Sequence, residues 1–378
     1  MKVFMALFAA LLFPITAFCE EAAKTVLPTG LFGGSALTNP NISLIFNTFA
    51  YTSNFDESKL KSRYITGHIK DGKKGFNLES AELFIFAPVD PYFNLYSTIP
   101  ISEGEVELEE VYFVTTALPA GFQIKGGKFR SGFGRLNAQH SHAWDFVDSP
   151  IPYRELVGKD GLIEKGVQLT YLPDFPFYTL LGAEILQGEN ELLFGPDAEE
   201  GPHALSSYVK ASLDLDDNST LLLGPSVATG KTKTETGFKG DSLLYGMEFT
   251  YKWKPSRKHG FLIQGEYLYK RQEGKLDEKA ASTDHDGFYL QGIYLTGRWR
   301  FGARYDSLGV FKDEFTGLER NFEKNPWRGT GIIGFYPTEF SHIRLQYNYD
   351  TSARDRKINH EIMLQFVMGI GAHSAHPF

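Results

Sequence analysis

Apolar and polar residues alternate along most of this 378-residue chain, and this alternation limits the possible folds more than any other feature. In one run, for example, Trp299, Phe301 and Tyr305 alternate with Arg300 and Arg304. Successive side chains of a β-strand point to opposite faces of a sheet, so each such run predicts a strand with one apolar and one polar face. The runs cover residues 41–51, 76–88, 92–101, 105–118, 122–133, 166–172, 177–186, 204–215, 219–229, 242–254, 259–271, 287–296, 298–308, 328–337, 340–350 and 358–370.

The connections between these runs alternate between short and long. A short turn, such as 89–91 or 216–218, joins one pair of runs, and a longer connection joins the next pair. Bacterial membrane barrels have an even number of antiparallel strands, with short turns at one end and longer loops at the other. The long connections are 52–75, 134–165, 187–203, 230–241, 272–286 and 309–327.

We therefore predict an all-β protein, a transmembrane antiparallel β-barrel of about 16 strands. Strands can cross a bilayer only as a closed barrel, because every backbone polar group must be paired internally. The alternative is a soluble sandwich or propeller, in which alternation also occurs. Aromatic residues near the short turns would form an interfacial girdle; they are Tyr92, Phe122, Phe177, Trp253, Trp299, Tyr336 and Phe340.

The N-terminus has the pattern of a secretory signal. Lys2 precedes an apolar run, 3–13, which is shorter than the roughly 20 residues of a membrane-spanning helix. The pattern favours a signal peptide over an uncleaved anchor. Together with the predicted barrel, it predicts a protein of the cell outer membrane. The predicted domains are a signal peptide at 1–19, with cleavage that could extend to 23, a short N-terminal periplasmic segment at 20–40, and the outer-membrane barrel at 41–378.

Charge and motifs exclude other classes of function. The net charge of −8 argues against a nucleic-acid partner. The chain contains no GxSxG motif, and the proximity of Ser131 and Ser141 to His140 does not amount to a catalytic arrangement. We therefore expect that the protein is not an enzyme.

The 134–165 connection stands out among the loops. It has no helical period and is rich in Gly, Pro, Asp, His and aromatic residues. A connection this long within a domain is usually functional or disordered, and its many large apolar residues favour an ordered loop. Its histidine, tryptophan and aspartate residues include His140, His142, Trp144, Asp145 and Asp148.

Two segments carry a resemblance to known proteins. Residues 126–148 read GGKFRSGFGRLNAQHSHAWDFVD, and residues 161–172 read GLIEKGVQLTYL. They resemble bacterial outer-membrane porins, in particular the phosphate-selective porin superfamily and a group labelled zinc-regulated outer-membrane receptors. The resemblance implies that the long third outer loop, 134–165, folds into the lumen, where His140, His142, Trp144, Asp145 and Asp148 would form a constriction. It also implies a homotrimer, and contact with outer-membrane lipid and the barrel-insertion machinery.

Arginine and lysine residues are the first candidates for selectivity. Rings of such residues favour anions in a pore, and Arg suits oxyanions. The alternative is that they are solvated lumen residues paired with Glu248, Glu266 and Asp306. The predicted lumen residues are Lys128, Arg130, Arg135, Arg298, Arg300, Arg304 and Arg344.

Histidines of the third loop are the second candidates. His140, His142 and Asp145 provide the imidazole and carboxylate ligands that Zn²⁺ accepts, so they form a possible zinc site. The alternative is that the histidines only pack and donate hydrogen bonds. The predicted function is passive diffusion of small hydrophilic solutes, including anions. The alternatives are a zinc uptake receptor without a full plug domain and a closed structural barrel.

Overall fold

A computed structural model describes residues 40–57, 73–234, 237–318, 324–353 and 357–371. The predicted signal peptide at 1–19 and almost all of the 20–40 segment lie outside the described residues. Within the described residues, no helix has the length and apolar character needed to cross a membrane.

Sixteen antiparallel strands form one closed sheet, in which each strand pairs with the next and the last pairs with the first. The fourth strand has two parts, which both pair with the third strand and flank a bulge at 107–109. The predicted strand number is therefore confirmed. The strands are β1 (Asn41–Ser53), β2 (Gly75–Pro88), β3 (Phe93–Ser102), β4 (Glu105–Val106 and Glu110–Thr115), β5 (Phe122–Arg130), β6 (Ile163–Tyr171), β7 (Tyr178–Leu186), β8 (Ala204–Asp216), β9 (Ser219–Lys233), β10 (Lys239–Ser256), β11 (His259–Leu276), β12 (Lys279–Thr296), β13 (Trp299–Thr316), β14 (Trp327–Thr338), β15 (Ser341–Asp350) and β16 (Asn359–Gly371).

The barrel is apolar outside and polar inside. On β13, Phe301 and Tyr305 are 43% and 44% exposed, whereas Arg304 and Asp306 are 3% and 0% exposed. An apolar outer face around a polar interior is the arrangement of an outer-membrane barrel, and it places this protein in that membrane. The predicted aromatic girdle residues are exposed except Tyr336, whose ring lies 3.8 Å from the Arg300 guanidinium.

Several strands continue well beyond the predicted bounds. The connection predicted at 272–286 is in fact a two-residue turn, Asp277–Glu278, between β11 and β12. Both turn residues have positive φ, 49° and 61°, as the tight hairpin turns that suit strand twist require. The prediction was wrong because both faces of a strand meet water beyond the bilayer, so the pairing continues after the alternation ends.

The interior contains loop L3, residues 131–162, which joins β5 to β6. L3 includes a single 3-10 turn, Ser141–Ala143, and a short helix, α1 (Ile151–Leu156). Its apolar residues pack in a buried cluster with inward residues of the wall. The loop residues of this cluster include Phe133, Tyr153, Leu156 and Leu162, and the wall residues include Leu186, Leu244, Leu268 and Leu308.

Candidate functional site

Buried carboxylates of the wall hold the first residues of L3. Glu184 on β7 accepts a hydrogen bond from the Gly132 amide at 2.8 Å. Glu266 on β11 accepts the amides of Arg135, at 2.7 Å, and Leu136, at 3.1 Å. Loop amides have no ladder partner, so these carboxylates satisfy groups whose burial would otherwise cost free energy.

Asp148 is the strongest point of attachment. Its Oδ1 accepts from Arg304 Nη2 at 2.6 Å and from Gln346 Nε2 at 2.7 Å. Its Oδ2 accepts from Arg328 Nη1 at 3.0 Å and from Asn348 Nδ2 at 2.9 Å. Burial alone would raise the pKa of Asp148, but Arg328 and Arg304 hold it well below its ordinary value.

A second carboxylate, Asp306 on β13, completes this network. It accepts the Ile151 amide at 2.7 Å and Arg328 Nη2 at 2.9 Å. The Val147 amide donates to Gln346 Oε1 at 2.8 Å. L3 is therefore bound to β13, β14 and β15 by paired charges and by its own backbone.

Three of the predicted lumen arginines do not present a free charge to a passage. Arg304 is buried against Asp148. Arg344 is also buried, and it donates from Nε to Gln365 Oε1 at 2.8 Å and from Nη1 to the Trp144 carbonyl. Arg298 lies exposed in the turn before β13 rather than on a strand, which corrects the prediction for this residue.

Lys128 and Arg130 also differ from the prediction. Phe129 between them is fully buried against L3, so alternation places Lys128 on the opposite, outward face. Lys128 Nζ donates to the Leu108 carbonyl at 2.7 Å, and Arg130 pairs with Glu109. Both residues therefore contact the 107–109 bulge of β4.

Arg300 and Arg135 are more exposed than the buried Arg304 and Arg344. Arg300 has a 37% exposed side chain and lies over the Tyr336 ring, with Nη1 3.9 Å from Asp145 Oδ1. Asp145 also accepts from Gln291 Nε2 at 3.3 Å. Burial raises the pKa of the Asp145 carboxyl, although Arg300 opposes this.

The loop histidines lie against β2 and β4. His142 Nδ1 is 3.3 Å from Glu82 Oε2, and His140 Nε2 is 2.9 Å from Glu110 Oε2. Burial lowers the pKa of His140, but the hydrogen bond to Glu110 and the charge of Glu82 outweigh it and raise the pKa above its ordinary value. Asp145 is not in this cluster, so the predicted ligand set of His140, His142 and Asp145 is not brought together.

Sequence reasoning missed the wall partners of L3. The missed residues are Glu82, Glu110, Glu184, Arg328, Gln346 and Asn348, whereas Glu266 is predicted as a lumen residue but not as a partner of L3. Each lies on the polar face of its strand, which is a usable signal. However, polar lumen residues occur in every strand of such a barrel, and alternation does not show which of them meet a residue of a loop that lies elsewhere in the chain.

Known proteins share this architecture. No family model matches the chain. The solved structures similar to it include the outer-membrane channel DcaP of Acinetobacter baumannii, with a TM-score of 0.61 and 12% identity over 89% of this chain and 99% of that chain. An anion-selective porin from Comamonas acidovorans has a TM-score of 0.58 and 9% identity over 88% of this chain and 100% of that chain. At these identities the likeness shows a porin-type barrel fold.

A sequence relative is much more similar. An uncharacterized protein of Aquifex aeolicus (strain VF5) is 40% identical over an alignment that covers 90% of this chain and 80% of the relative. The chain therefore belongs to the same family as this Aquifex aeolicus protein.

Proposed function

We propose that the protein is a porin that allows passive diffusion of small hydrophilic solutes, with L3 as its constriction. The observation that carries the proposal is the attachment of L3 to the inner wall through Asp148, which accepts four side-chain hydrogen bonds. A barrel of about 16 strands is wide enough for an aqueous channel. A loop fixed across it would limit passage to small solutes.

Within this proposal, Arg300 is the main candidate for selectivity toward anions. Arg304 and Arg328 are buried in ion pairs, and Arg344 is buried and hydrogen-bonded to Gln365, so their guanidinium groups do not line a passage. Arg300 retains exposure and is held in place by the Tyr336 ring. A partly exposed guanidinium attracts anions more than cations.

Single-channel recording in a planar bilayer tests the proposal. We expect stable ohmic steps, and under a salt gradient we expect a reversal potential that indicates a preference for anions. Arg300→Gln should reduce that preference. Arg298→Gln is the matched control, because Arg298 lies two positions away in an exposed turn and should change the preference much less.

A closed structural barrel is the second candidate, because L3 contacts the wall on several sides. His140 and His142 meet β2 and β4, Arg135 meets β11, and Asp148 meets β13 to β15. If the folded protein gives no conductance in the bilayer, the porin proposal is wrong and the closed barrel replaces it.

We also propose a homotrimer. A trimer form is given for the solved structure of OmpT of Vibrio cholerae, which has a TM-score of 0.56 and 12% identity over 88% of this chain and 99% of that chain. Analytical ultracentrifugation in detergent tests this, and a monomer at all protein concentrations would contradict it.

A further inference from the structure

Two histidines and a glutamate converge where L3 crosses β2. Glu82 comes from the strand, His142 from the 3-10 turn of the loop, and His140 from the position just before that turn. Glu82 Oε1 is 3.8 Å from His140 Nδ1, and Glu82 Oε2 is 3.3 Å from His142 Nδ1. One ligand atom from each residue lies within 4.8 Å of the other two.

These distances are close to those of a metal centre. Zinc bonds of about 2.0–2.1 Å in a tetrahedral arrangement place ligand atoms roughly 3.3 Å apart. The three side chains could reach that spacing with shifts of about 1 Å or less each. Glu82 and His142 are buried, and the two imidazole rings stack with centroids 5.5 Å apart, so the ligands are already ordered.

A further carboxylate orients one of the rings. Glu110 Oε2 lies 2.9 Å from His140 Nε2, and Glu110 Oε1 accepts the Arg130 amide at 2.7 Å. The Nδ1 atom of His140 is thereby directed toward Glu82. Histidines that bind metals usually donate their second ring N–H to a carboxylate, which fixes the tautomer and the ring orientation.

We propose that Glu82, His140 and His142 bind a divalent transition-metal cation, with Zn²⁺ the best match to the ligands. Two imidazoles and one carboxylate suit zinc and its neighbours in the first transition row, whereas Ca²⁺ and Mg²⁺ prefer oxygen ligands alone. The bound cation would tie L3 to β2, a strand that does not bind Asp148. This goes beyond the porin proposal, because cation binding does not require an open passage.

The site differs from the one expected from the sequence. Glu82 takes the place of Asp145, whose carboxylate instead contacts Gln291 and Arg300. An ordinary ion pair of protonated His140 with Glu110 is the competing explanation of the cluster, and the two explanations differ in whether a metal binds.

Isothermal titration of the purified, chelator-treated protein with Zn²⁺ tests the proposal. We expect one equivalent to bind, and we expect Glu82→Gln and His142→Ala each to weaken affinity at least tenfold. Glu110→Gln should weaken it about 10–100-fold, as loss of an orienting carboxylate does. His259→Ala, which changes an exposed histidine at the start of β11, should leave the affinity unchanged.

Other results would overturn the assignment. Wild-type protein that binds no zinc, or Glu82→Gln and His142→Ala variants that bind it as wild type does, would show that the cluster is only an ion-pair network. If Asp145→Asn abolishes binding while Glu82→Gln does not, the ligand set from the sequence is the correct one.

If a variant fails to fold, a measurement on the wild-type protein still tests the proposal. One equivalent of Co²⁺ should give the intense visible absorption of a four-coordinate nitrogen–oxygen site. Only weak, six-coordinate absorption would contradict the proposal. Conductance is measured separately without metal, so a closed barrel and an absent metal site give distinguishable results.

Discussion

At the scale of single residues, Asp148 matters most for the position of L3. It is a buried carboxylate whose two oxygens are fully engaged by Arg304, Arg328, Gln346 and Asn348. Two of these donors are buried arginines, which would lose a counter-charge if Asp148 were replaced. A charge left unpaired in a buried site costs free energy, so removal of one partner from this network destabilises the folded state.

Asp148→Ala should therefore destabilise the protein by about 3–5 kcal/mol, as does loss of one partner of a buried ion pair. The free energy of unfolding can be measured by denaturant titration in lipid vesicles. Asp160→Asn is the matched control in the same loop, because the Asp160 side chain is 72% exposed and should change stability by less than about 0.5 kcal/mol. Equal effects from both variants would contradict the role given to Asp148.

The lowered pKa of Asp148 predicts that the stability of the protein depends on pH. The folded state lowers the pKa of Asp148 below the ordinary value of about 3.9, so its contribution to stability is present above that value and is lost as pH falls through the folded pKa. The stability difference between wild type and Asp148→Asn should thus be constant near neutral pH and shrink below about pH 4. Unfolding titrations from pH 3 to pH 7 would show a difference that does not shrink if this is wrong. The charged groups that face Asp148 or its arginine partners are Arg304, Arg328, Asp306 and Asp350.

At the scale of elements, a long strand has one part in the membrane and another part in water. β12 has 18 residues, which span roughly 59 Å at about 3.3 Å per residue. Even when tilted by about 45°, it extends well past an apolar band of about 25 Å. The half of β12 near the short turn at 297–298 therefore faces lipid. The half near the Asp277–Glu278 turn extends into water as part of a hairpin with β11.

This division can be tested with one substitution on each half. Leu290→Arg places a charge on an outward residue that is 43% exposed, about six positions from the turn at the short-loop end, and should destabilise by about 2–4 kcal/mol. Ala280→Arg, beyond the band on the same strand, should cost about 1 kcal/mol or less. Denaturant titration in vesicles measures both. A larger cost at Ala280 would mean that the hairpin tip is not in water.

Element bounds also show where sequence reasoning ends. Every predicted run corresponds to a strand, because within the membrane the lipid and lumen faces force strict alternation. Outside the membrane that pressure disappears, and β10 to β13 continue through charged sequence that looks like loop. Their extent depends on backbone pairing between neighbours, which a single strand does not reveal.

At the scale of the whole molecule, L3 and the wall form one packed interior. Loop amides donate to carboxylates on β7, β11 and β13, and loop apolar residues lie in the same buried cluster as wall leucines. A loop with so many buried partners should behave as part of the barrel rather than as a mobile lid.

Hydrogen exchange would show this directly. We expect the amides of Gly132, Leu136, Val147 and Ile151 to exchange as slowly as strand amides, because each donates to a buried side chain. The amides of the exposed residues 199–201 provide a fast reference. Exchange of the loop amides at the reference rate would mean that L3 leaves the wall in solution.

Local sequence predicts the closed barrel, its strand number and the special character of the 134–165 segment, because alternation and loop composition are local properties. The partners of the charged residues, in contrast, depend on how the chain folds. The fold places Arg304 in a buried ion pair and Arg344 in buried hydrogen bonds, leaves Arg300 partly exposed, and joins His140 and His142 to Glu82 instead of Asp145. These pairings link residues far apart in the chain, and alternation fixes the face of a side chain but not its partner across the barrel.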